Sequence, residues 1–306
     1  MYAFDYKRPA SLAEAKGAVS GDARFLAGGQ SLIQAMKLRL SSSETLVDLG
    51  AIGELKTIRM DGPNLVIGAM ATHASVAASP EVRKACPALV YPNYEDWGFA
   101  QVQLDDRSFA TARSSLSKTD DVMLRSMLWQ SLSDGLRTQR VALDHYIDAV
   151  LANTPSETDP ALVRQALTGA TAAEDLLRVY SAGKPSAKVK KYAAAAGKRL
   201  EDMVWAGMLA HAGNRDQARS WFDTYVEVSN SPAAMARLRA ILDGKEKADG
   251  VEIDSEFRWN IIAQLNRYDA PGSEALIAAE LAKDSSENGQ LGAIAAAAVR
   301  PDAKTK

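Results

Sequence analysis

Two adjacent glycines, Gly28 and Gly29, have the sequence setting of a phosphate-binding loop. They follow a short apolar segment, residues 24–27, and precede an amphipathic run over residues 32–40. Glycine lets backbone N–H groups come close to a ligand, and the start of a following helix adds the positive end of its dipole. These groups together could hold a pyrophosphate, although a Gly-Gly pair more often marks only a tight turn.

The cysteine content indicates a reducing compartment. The single cysteine, Cys86, has no partner for a disulfide within the chain. No histidine forms a recognisable motif with it, so we interpret Cys86 as a small buried residue on a helix face rather than a nucleophile. Residues 1–9 contain no apolar run, so no signal peptide is expected, and residues 293–299 are too few to span a bilayer. We therefore expect a cytoplasmic protein without membrane association.

Charge and composition exclude some classes of partner. The net charge is −2 over 306 residues, and the acidic and basic residues are interspersed. A protein that binds nucleic acid or an anionic membrane surface needs a basic stripe, and this sequence has none. Hydrophobic residues make up 47% of the chain, enough to form the cores of about two domains.

The sequence changes character near residue 90. Strand and helix signals alternate before that point, whereas helical spacing dominates after about residue 110. All five tryptophans follow the change: Trp97, Trp129, Trp205, Trp221 and Trp259. We predict two domains, residues 1–90 and 91–306. The fold class is an α+β N-terminal subdomain followed by an all-α, stacked-helix, solenoid-like domain.

The first domain shows signals for short elements. Ser11 and Glu14 form a capping box, which predicts a helix start. Strands are predicted over residues 24–27 and 45–49. A hairpin over 55–60 and 65–69 is predicted around a turn at Asp61 and Gly62. Pro80, after a serine, predicts another helix start, and Pro87 predicts that this helix ends at residues 85–86.

The second domain is predicted to contain about eight to ten helices with short connections. Apolar stripes at helical spacing mark their buried faces, and the tryptophans on these stripes are interpreted as core residues. Proline after a cap residue predicts helix starts at Asp159 and Ser231, and the pair Asp120-Asp121 is interpreted as a helix cap rather than an acid pair. One short strand is predicted over residues 99–104, and residues 181–191 are predicted to be an exposed loop.

Residues 4–90 resemble the start of the FAD-binding medium subunit of the molybdenum hydroxylases, the group that contains carbon monoxide and xanthine dehydrogenases. The matching stretches are residues 4–9, 23–39, 45–50 and 66–73. The resemblance implies that one loop wraps the pyrophosphate of FAD. This loop consists of Leu26, Ala27, Gly28, Gly29, Gln30, Ser31 and Leu32.

This resemblance has departures. Gln34 stands where the family commonly has proline, and no second glycine motif, Thr-Ile-Gly-Gly, follows Val90. That motif belongs to a subdomain that covers the flavin, so the resemblance implies weak FAD binding at most. The family works beside iron–sulfur and molybdenum subunits, but one cysteine cannot hold a cluster in this chain. His73 matches the family's Thr-His pair and is interpreted here as a polar residue at a helix start.

Residues 90–306 resemble the C-terminal helical domain of bacterial aminopeptidase N, a zinc metallopeptidase. The matching stretches are residues 90–105, 121–132 and 258–268, which are packing motifs rather than catalytic ones. In that family the domain is a helical stack that caps the catalytic domain and encloses the peptide chamber.

Zinc catalysis in that family requires His-Glu-x-x-His and a further glutamate. The three histidines here are His73, His145 and His211. None is followed by glutamate and no two are four residues apart, so we expect no zinc and assign no catalytic residue.

Three classes of function remain open. The first is an interaction or lid domain that presents a helical surface to a protein or peptide partner. The second is weak flavin binding, as a component of a molybdenum hydroxylase-type oxidoreductase. The third, an aminopeptidase, requires a partner chain that supplies the zinc domain. The sequence is compatible with a natural fusion, a misassembled gene and an engineered join.

Overall fold

A computed structural model of the chain describes residues 2–29, 31–85, 89–91, 93–94 and 101–301. The chain divides into two compact units, Met1–Ala112, called here the N-terminal unit, and Arg113–Lys306, the helical unit. The N-terminal unit contains strands and short helices, and the described elements of the helical unit are helices. The predicted fold class is therefore confirmed. Within the described ranges, no helix is both long and apolar enough to cross a membrane. Cys86 and Trp97 lie outside the described residues.

The N-terminal unit contains a three-stranded parallel sheet. Its strands are β1 (Asp5–Lys7), β2 (Ala23–Leu26) and β3 (Thr45–Asp48), in the order β1-β3-β2. Leu46 and Val47 of the central strand are both fully buried. Successive side chains of a strand point to opposite faces, so both faces of this sheet are covered.

Two helices connect these strands. Helix α1 (Leu12–Ala18) begins at the predicted capping box, in which Ser11 accepts a hydrogen bond from the backbone N–H of Glu14. The Glu14 carboxylate accepts in return from the N–H of Ala10, at 2.9 Å. Ala15 of α1 packs with Val47 and Ile52, which gives the unit a small core. Helix α2 (Leu32–Lys37) returns the chain to β3.

A two-stranded antiparallel hairpin and two helices follow. The hairpin strands are β4 (Ile58–Asp61) and β5 (Asn64–Ile67), and they are joined through Gly62, whose φ is +58°. The predicted first strand started earlier, at residue 55, but Gly53–Lys56 forms a 3-10 turn instead. Helices α3 (His73–Ala78) and α4 (Pro80–Ala85) come next, and α4 begins at the predicted proline.

The predicted strand over residues 99–104 is wrong in its described part. Residues 101–104 have no regular structure and the rest lie outside the described residues. Among the described residues no strand pairs with this segment, and alternation of apolar and polar side chains alone does not form a strand without a neighbouring strand. Helix α5 (Asp106–Ser115) follows this segment.

The helical unit continues with nine further helices among the described residues. They are α6 (Val122–Arg137), α7 (Leu143–Asn153), α8 (Pro160–Ser181), α9 (Ala187–Ala210), α10 (Arg215–Val228), α11 (Pro232–Leu242), α12 (Ser255–Arg267), α13 (Ser273–Leu281) and α14 (Glu287–Ala298). Helices that follow one another in the chain pack together, as α8 does on α9 and α9 on α10, and α12 also packs on α14.

Side-chain caps start these helices as predicted. Asp121, Asp159 and Ser231 each accept a hydrogen bond from a backbone N–H in the first turn of the following helix. The predicted exposed loop over residues 181–191 is wrong in its second half, because Ser186 caps α9 and the helix begins at Ala187. Lysines in that segment lie on the exposed first turns of α9, where a helix tolerates them as well as a loop does.

The core of the helical unit is aromatic. Trp221, Phe222 and Tyr225 of α10 are fully buried and share one cluster with Phe257 of α12. The Phe222 and Phe257 rings meet edge to face with centroids 5.0 Å apart, a favoured arrangement for aromatic pairs. The prediction that the tryptophans of the apolar stripes are core residues is confirmed for Trp129 and Trp221, and Trp205 is partly buried against the same cluster.

Candidate functional site

The glycine loop lies at the carboxyl end of the parallel sheet. Strand β2 ends at Leu26, one residue before the predicted end, and helix α2 begins at Leu32, where the amphipathic run was predicted to start. Ala27, Gly28 and Ser31 are exposed to solvent. Gln30 lies outside the described residues. Ligands of open parallel sheets bind at the carboxyl ends of the strands, so this loop has a suitable position for a binding site.

The two glycines have different backbone requirements. Gly29 has a φ of +73°, a left-handed conformation that L residues rarely adopt. A Cβ there would also lie 3.0 Å from Cγ1 of Ile33 and 3.4 Å from Cδ1 of Leu26. Gly28 has an ordinary φ, and a Cβ there would find nothing within 4 Å. Gly29 therefore shapes the turn, whereas Gly28 keeps open the space above it.

Backbone donors of the loop are free in the described part of the chain. The N–H groups of Gly28, Gly29 and Ser31 donate to no described acceptor, whereas the N–H of Ile33 donates to the carbonyl of Gly29 at 3.1 Å. Ser31, at the start of α2, makes no side-chain cap bond. Unpaired N–H groups at an exposed turn are donors for an anionic ligand. The turn therefore fits the pyrophosphate of a dinucleotide such as FAD.

A second group of polar side chains lies at the same sheet edge. Asp48 ends β3 and stands in register with Leu26 of β2. Its carboxylate accepts hydrogen bonds from the Tyr6 hydroxyl and, at 2.7 Å, from the Gly50 backbone N–H. Arg8 lies 3.4 Å from the same carboxylate. This cluster, Tyr6, Arg8 and Asp48, was not identified from the sequence.

Hydrogen bonding reinforces the charge states that Asp48 and Tyr6 have at neutral pH. The bond from Tyr6 is the main cause that lowers the pKa of the Asp48 carboxyl, and the Gly50 N–H adds to it. The same bond is the main cause that raises the pKa of Tyr6. Asp48 is thus a carboxylate and Tyr6 a phenol at neutral pH. A carboxylate only accepts hydrogen bonds, so its position suits ligand hydroxyl groups rather than phosphates.

The histidines are scattered rather than grouped. His145 lies in the first turn of α7, and His211 ends α9 with its Nδ1 2.8 Å from the carbonyl oxygen of Gly207. The His211 ring also stacks on Trp221. The side chain of His73 lies outside the described residues. Across the described residues, no three His, Cys, Asp or Glu side chains are grouped so that they could hold a metal ion.

Comparison with family models finds two matches. Residues 89–306 match the model of the ERAP1-like C-terminal domain, and residues 2–125 match the FAD binding domain in molybdopterin dehydrogenase. The two matches overlap over residues 89–125, which includes the division of the chain into two compact units. The predicted boundary near residue 90 stays a prediction.

Known relatives also fall into two groups, one similar to aminopeptidase N and one to carbon monoxide dehydrogenase medium chains. Aminopeptidase N of Streptomyces lividans is 28% identical over 225 residues, which are 74% of this chain and 25% of that protein. The carbon monoxide dehydrogenase medium chains of Afipia carboxidovorans and Hydrogenophaga pseudoflava are 46% and 43% identical over 89 residues. Those residues are 28% of this chain and 31% of each medium chain.

The chain thus spans between a quarter and a third of the length of these relatives. The resemblances read from the sequence are both confirmed, each for its own part of the chain. The chain belongs to the family of ERAP1-like C-terminal domains, and it carries in front of that domain a segment of the FAD-binding domain of molybdopterin dehydrogenases.

Proposed function

We propose that the helical unit is a non-catalytic lid or interaction domain of the aminopeptidase N type. The relative from Streptomyces lividans supports this, since the matched quarter of that protein corresponds to most of this chain. His-Glu-x-x-His is absent from the sequence, so any peptide hydrolysis would need a zinc domain on another chain.

One observation carries the proposal, an exposed apolar surface on the last two helices. Leu291 and Ile294, one helical turn apart on α14, are 58% and 66% exposed. Four alanines of these two helices are exposed as well: Ala275, Ala278, Ala279 and Ala295. We call these six residues the terminal apolar face. The end of a helical stack in solution needs a polar outer surface, so an apolar one indicates a covering partner.

Contact with a partner would stabilise the complex through these side chains. Full burial of an exposed leucine or isoleucine contributes about 1.5–3 kcal/mol. Leu291 and Ile294 retain more than half of that surface for a partner to cover. Polar or acidic replacement of both should remove this contribution and add a desolvation cost.

The test is binding to the catalytic part of the Streptomyces lividans aminopeptidase N, prepared without its matched quarter. We expect the full chain to co-elute with that part in size-exclusion chromatography, and the double variant Leu291→Glu/Ile294→Glu to elute separately. Val179→Glu is the matched control, because Val179 is 58% exposed on α8, away from the terminal apolar face. Equal binding by the double variant would contradict the proposal.

A second candidate function, FAD binding by the N-terminal unit, is favoured by the open space above Gly28. The loop N–H groups would hold the pyrophosphate, and the Asp48 cluster would position hydroxyl groups of the ligand. When bound, a flavin supplies one- and two-electron redox chemistry. The resemblance implies a second glycine motif that this chain does not have, so binding should be weak. A fluorescence titration of FAD with the full chain tests this function, and no quenching at any concentration would contradict it.

A further inference from the structure

The connection between α8 and α9 concentrates positive charge. Residues 176–200 contain seven basic residues and no acidic ones. The net charge of −2 for the whole chain, which supported the expectation of no membrane association, conceals this local excess. Because α8 and α9 pack on each other and only residues 182–186 join them, the end of α8 lies beside the start of α9. Most of this charge is therefore gathered at one end of the helix pair.

The basic residues in the middle of this segment have no acidic partner. Three of the seven form ion pairs with aspartates of α7, α8 or α9: Arg178, Lys198 and Arg199. The other four are exposed and form no ion pair with any acid in the described ranges: Lys184, Lys188, Lys190 and Lys191. These four lysines present uncompensated positive charge to the solvent.

Apolar side chains lie close to these lysines. Val179 and Tyr180, in the last turn of α8, are 58% and 57% exposed, and Val189, in the first turn of α9, is 37% exposed. Tyr180 lies one helical turn beyond the buried Leu177, so it continues the apolar stripe of α8 past the core. We call these three exposed residues and the four lysines the α8–α9 tip.

The α8–α9 tip projects from the core of the helical unit. None of the residues from 178 through 195 is buried. Tyr192 marks the edge of the tip. Burial is the main cause that raises the pKa of Tyr192, and the nearby charges of Asp144 and Asp148 on α7 add to it. An anionic partner therefore meets the tip on the side away from these two acids.

The residue types of the tip favour one class of anionic partner. Sites that recognise single carboxylates or phosphates often use arginine, whose planar group forms two parallel hydrogen bonds, whereas the unpaired basic residues here are lysines. Lysine is also depleted at protein–protein interfaces. A single-stranded nucleic acid is held in a charged groove, but this surface projects. Clusters of about four to eight basic residues on amphipathic helices, with tyrosine beside them, are typical of contact with an anionic membrane surface.

We propose that the α8–α9 tip binds reversibly to the surface of an anionic lipid bilayer. The four lysines lie over the headgroups, where each contributes about fivefold to the affinity. Val179 and Val189 enter the boundary between headgroups and acyl chains, and Tyr180 lies at headgroup level, with its ring in the apolar region and its hydroxyl toward water. The tip is formed by α8 and α9, whereas the terminal apolar face is on α13 and α14, so the two surfaces can be tested separately.

The experiment measures sedimentation of the full chain with vesicles of phosphatidylcholine alone or of phosphatidylcholine and phosphatidylserine in equal parts. We expect binding to the second kind only, and we expect it to weaken as salt is added, because salt screens the attraction. Lys188→Gln should weaken binding about fivefold. The quadruple variant Lys184→Gln/Lys188→Gln/Lys190→Gln/Lys191→Gln should abolish it. Val179→Ser/Val189→Ser should weaken it as well, because a bilayer takes up apolar side chains.

A matched control separates the position of the lysines from their number. It replaces four exposed lysines outside the tip and has the same net charge as the quadruple variant: Lys7→Gln/Lys16→Gln/Lys37→Gln/Lys247→Gln. It should bind vesicles as the unmodified chain does, and circular dichroism checks that every variant is folded. The proposal is overturned by no sedimentation with phosphatidylserine, by equal sedimentation with phosphatidylcholine alone, or by equal binding of the two quadruple variants. Unchanged binding by the valine variant, or displacement from the vesicles by an equal charge of single-stranded DNA or polyglutamate, would also overturn it.

Discussion

Arg125 and Glu157 form a buried, two-bonded ion pair in the helical unit. The Nε–Oε2 and Nη2–Oε1 distances are both 3.0 Å, and the two side chains are 8% and 1% exposed. Arg125 also donates to the carbonyl oxygens of Thr119 and Asp120, and Glu157 accepts from the backbone N–H groups of Thr158 and Asp159. The pair therefore joins the start of α6 to the segment before α8.

The first prediction concerns this pair. Glu157→Gln leaves the Arg125 charge buried without a counter-charge, so we expect the free energy of unfolding to fall by about 3–5 kcal/mol. Urea denaturation measures this. The control is Asp202→Asn, which breaks an exposed pair with Lys198 and should cost less than about 1 kcal/mol. Similar effects for both variants would show that burial of the pair is energetically unimportant.

The second prediction separates the two glycines of the loop. Gly28→Val should weaken FAD binding without lowering stability, because its side chain enters open space that a pyrophosphate would occupy. Gly29→Val should lower both FAD affinity and stability, because the φ of Gly29 is +73° and the Ile33 side chain lies close to it. FAD fluorescence titration and thermal unfolding of each variant check this. FAD binding that is unaffected by Gly28→Val would place the ligand elsewhere.

The third prediction concerns pH. Burial is the main cause that raises the pKa of Glu174 above its ordinary value of 4.5. Between that value and the raised pKa, the folded chain binds more protons than the unfolded one, so stability falls as pH rises through this window. Burial raises the pKa of Asp223 likewise, and it contributes in the same direction.

Urea unfolding at a series of pH values above 4.5 measures this slope. Glu174→Gln should make the slope shallower, because the amide does not titrate, and adding Asp223→Asn should make it shallower still. Ser285→Ala, an exposed change that removes no titratable group, serves as the control and should leave the slope unchanged. A slope that is the same with and without Glu174 would refute the assignment.

The fourth prediction concerns the domain boundary predicted near residue 90. Limited proteolysis should cut the native chain between about residues 86 and 110, because domain boundaries fall in exposed segments. The larger product should be strongly helical by circular dichroism, because it contains the described helices α6–α14. Resistance of this segment to several proteases, together with one cooperative unfolding transition, would show that the chain folds as a single body.

Local signals in the sequence predicted much of the fold. Some helix starts depend only on residues that are close in sequence. Examples are the capping box at Ser11 and Glu14 and the cap–proline pair at Ser231 and Pro232. Strand β1 was missed because its three residues, Asp5–Lys7, are all exposed and show no apolar alternation. It forms only because β3 lies beside it.

The glycine loop could be predicted from the sequence, whereas the cluster around Asp48 could not. The glycine loop was visible because strand, turn and helix follow one another directly in the chain. Tyr6 and Asp48 are 42 residues apart, and only the sheet order brings them together.

The strand order β1-β3-β2 also constrains how the chain emerges during synthesis. The first two strands are not neighbours, so neither has a pairing partner until Thr45–Asp48 has left the ribosome. At about 5–20 residues per second, the first strand waits for seconds with its edges unpaired. Asp5 and Lys7, the outer residues of β1, are charged and exposed, which disfavours association of that segment with other nascent chains.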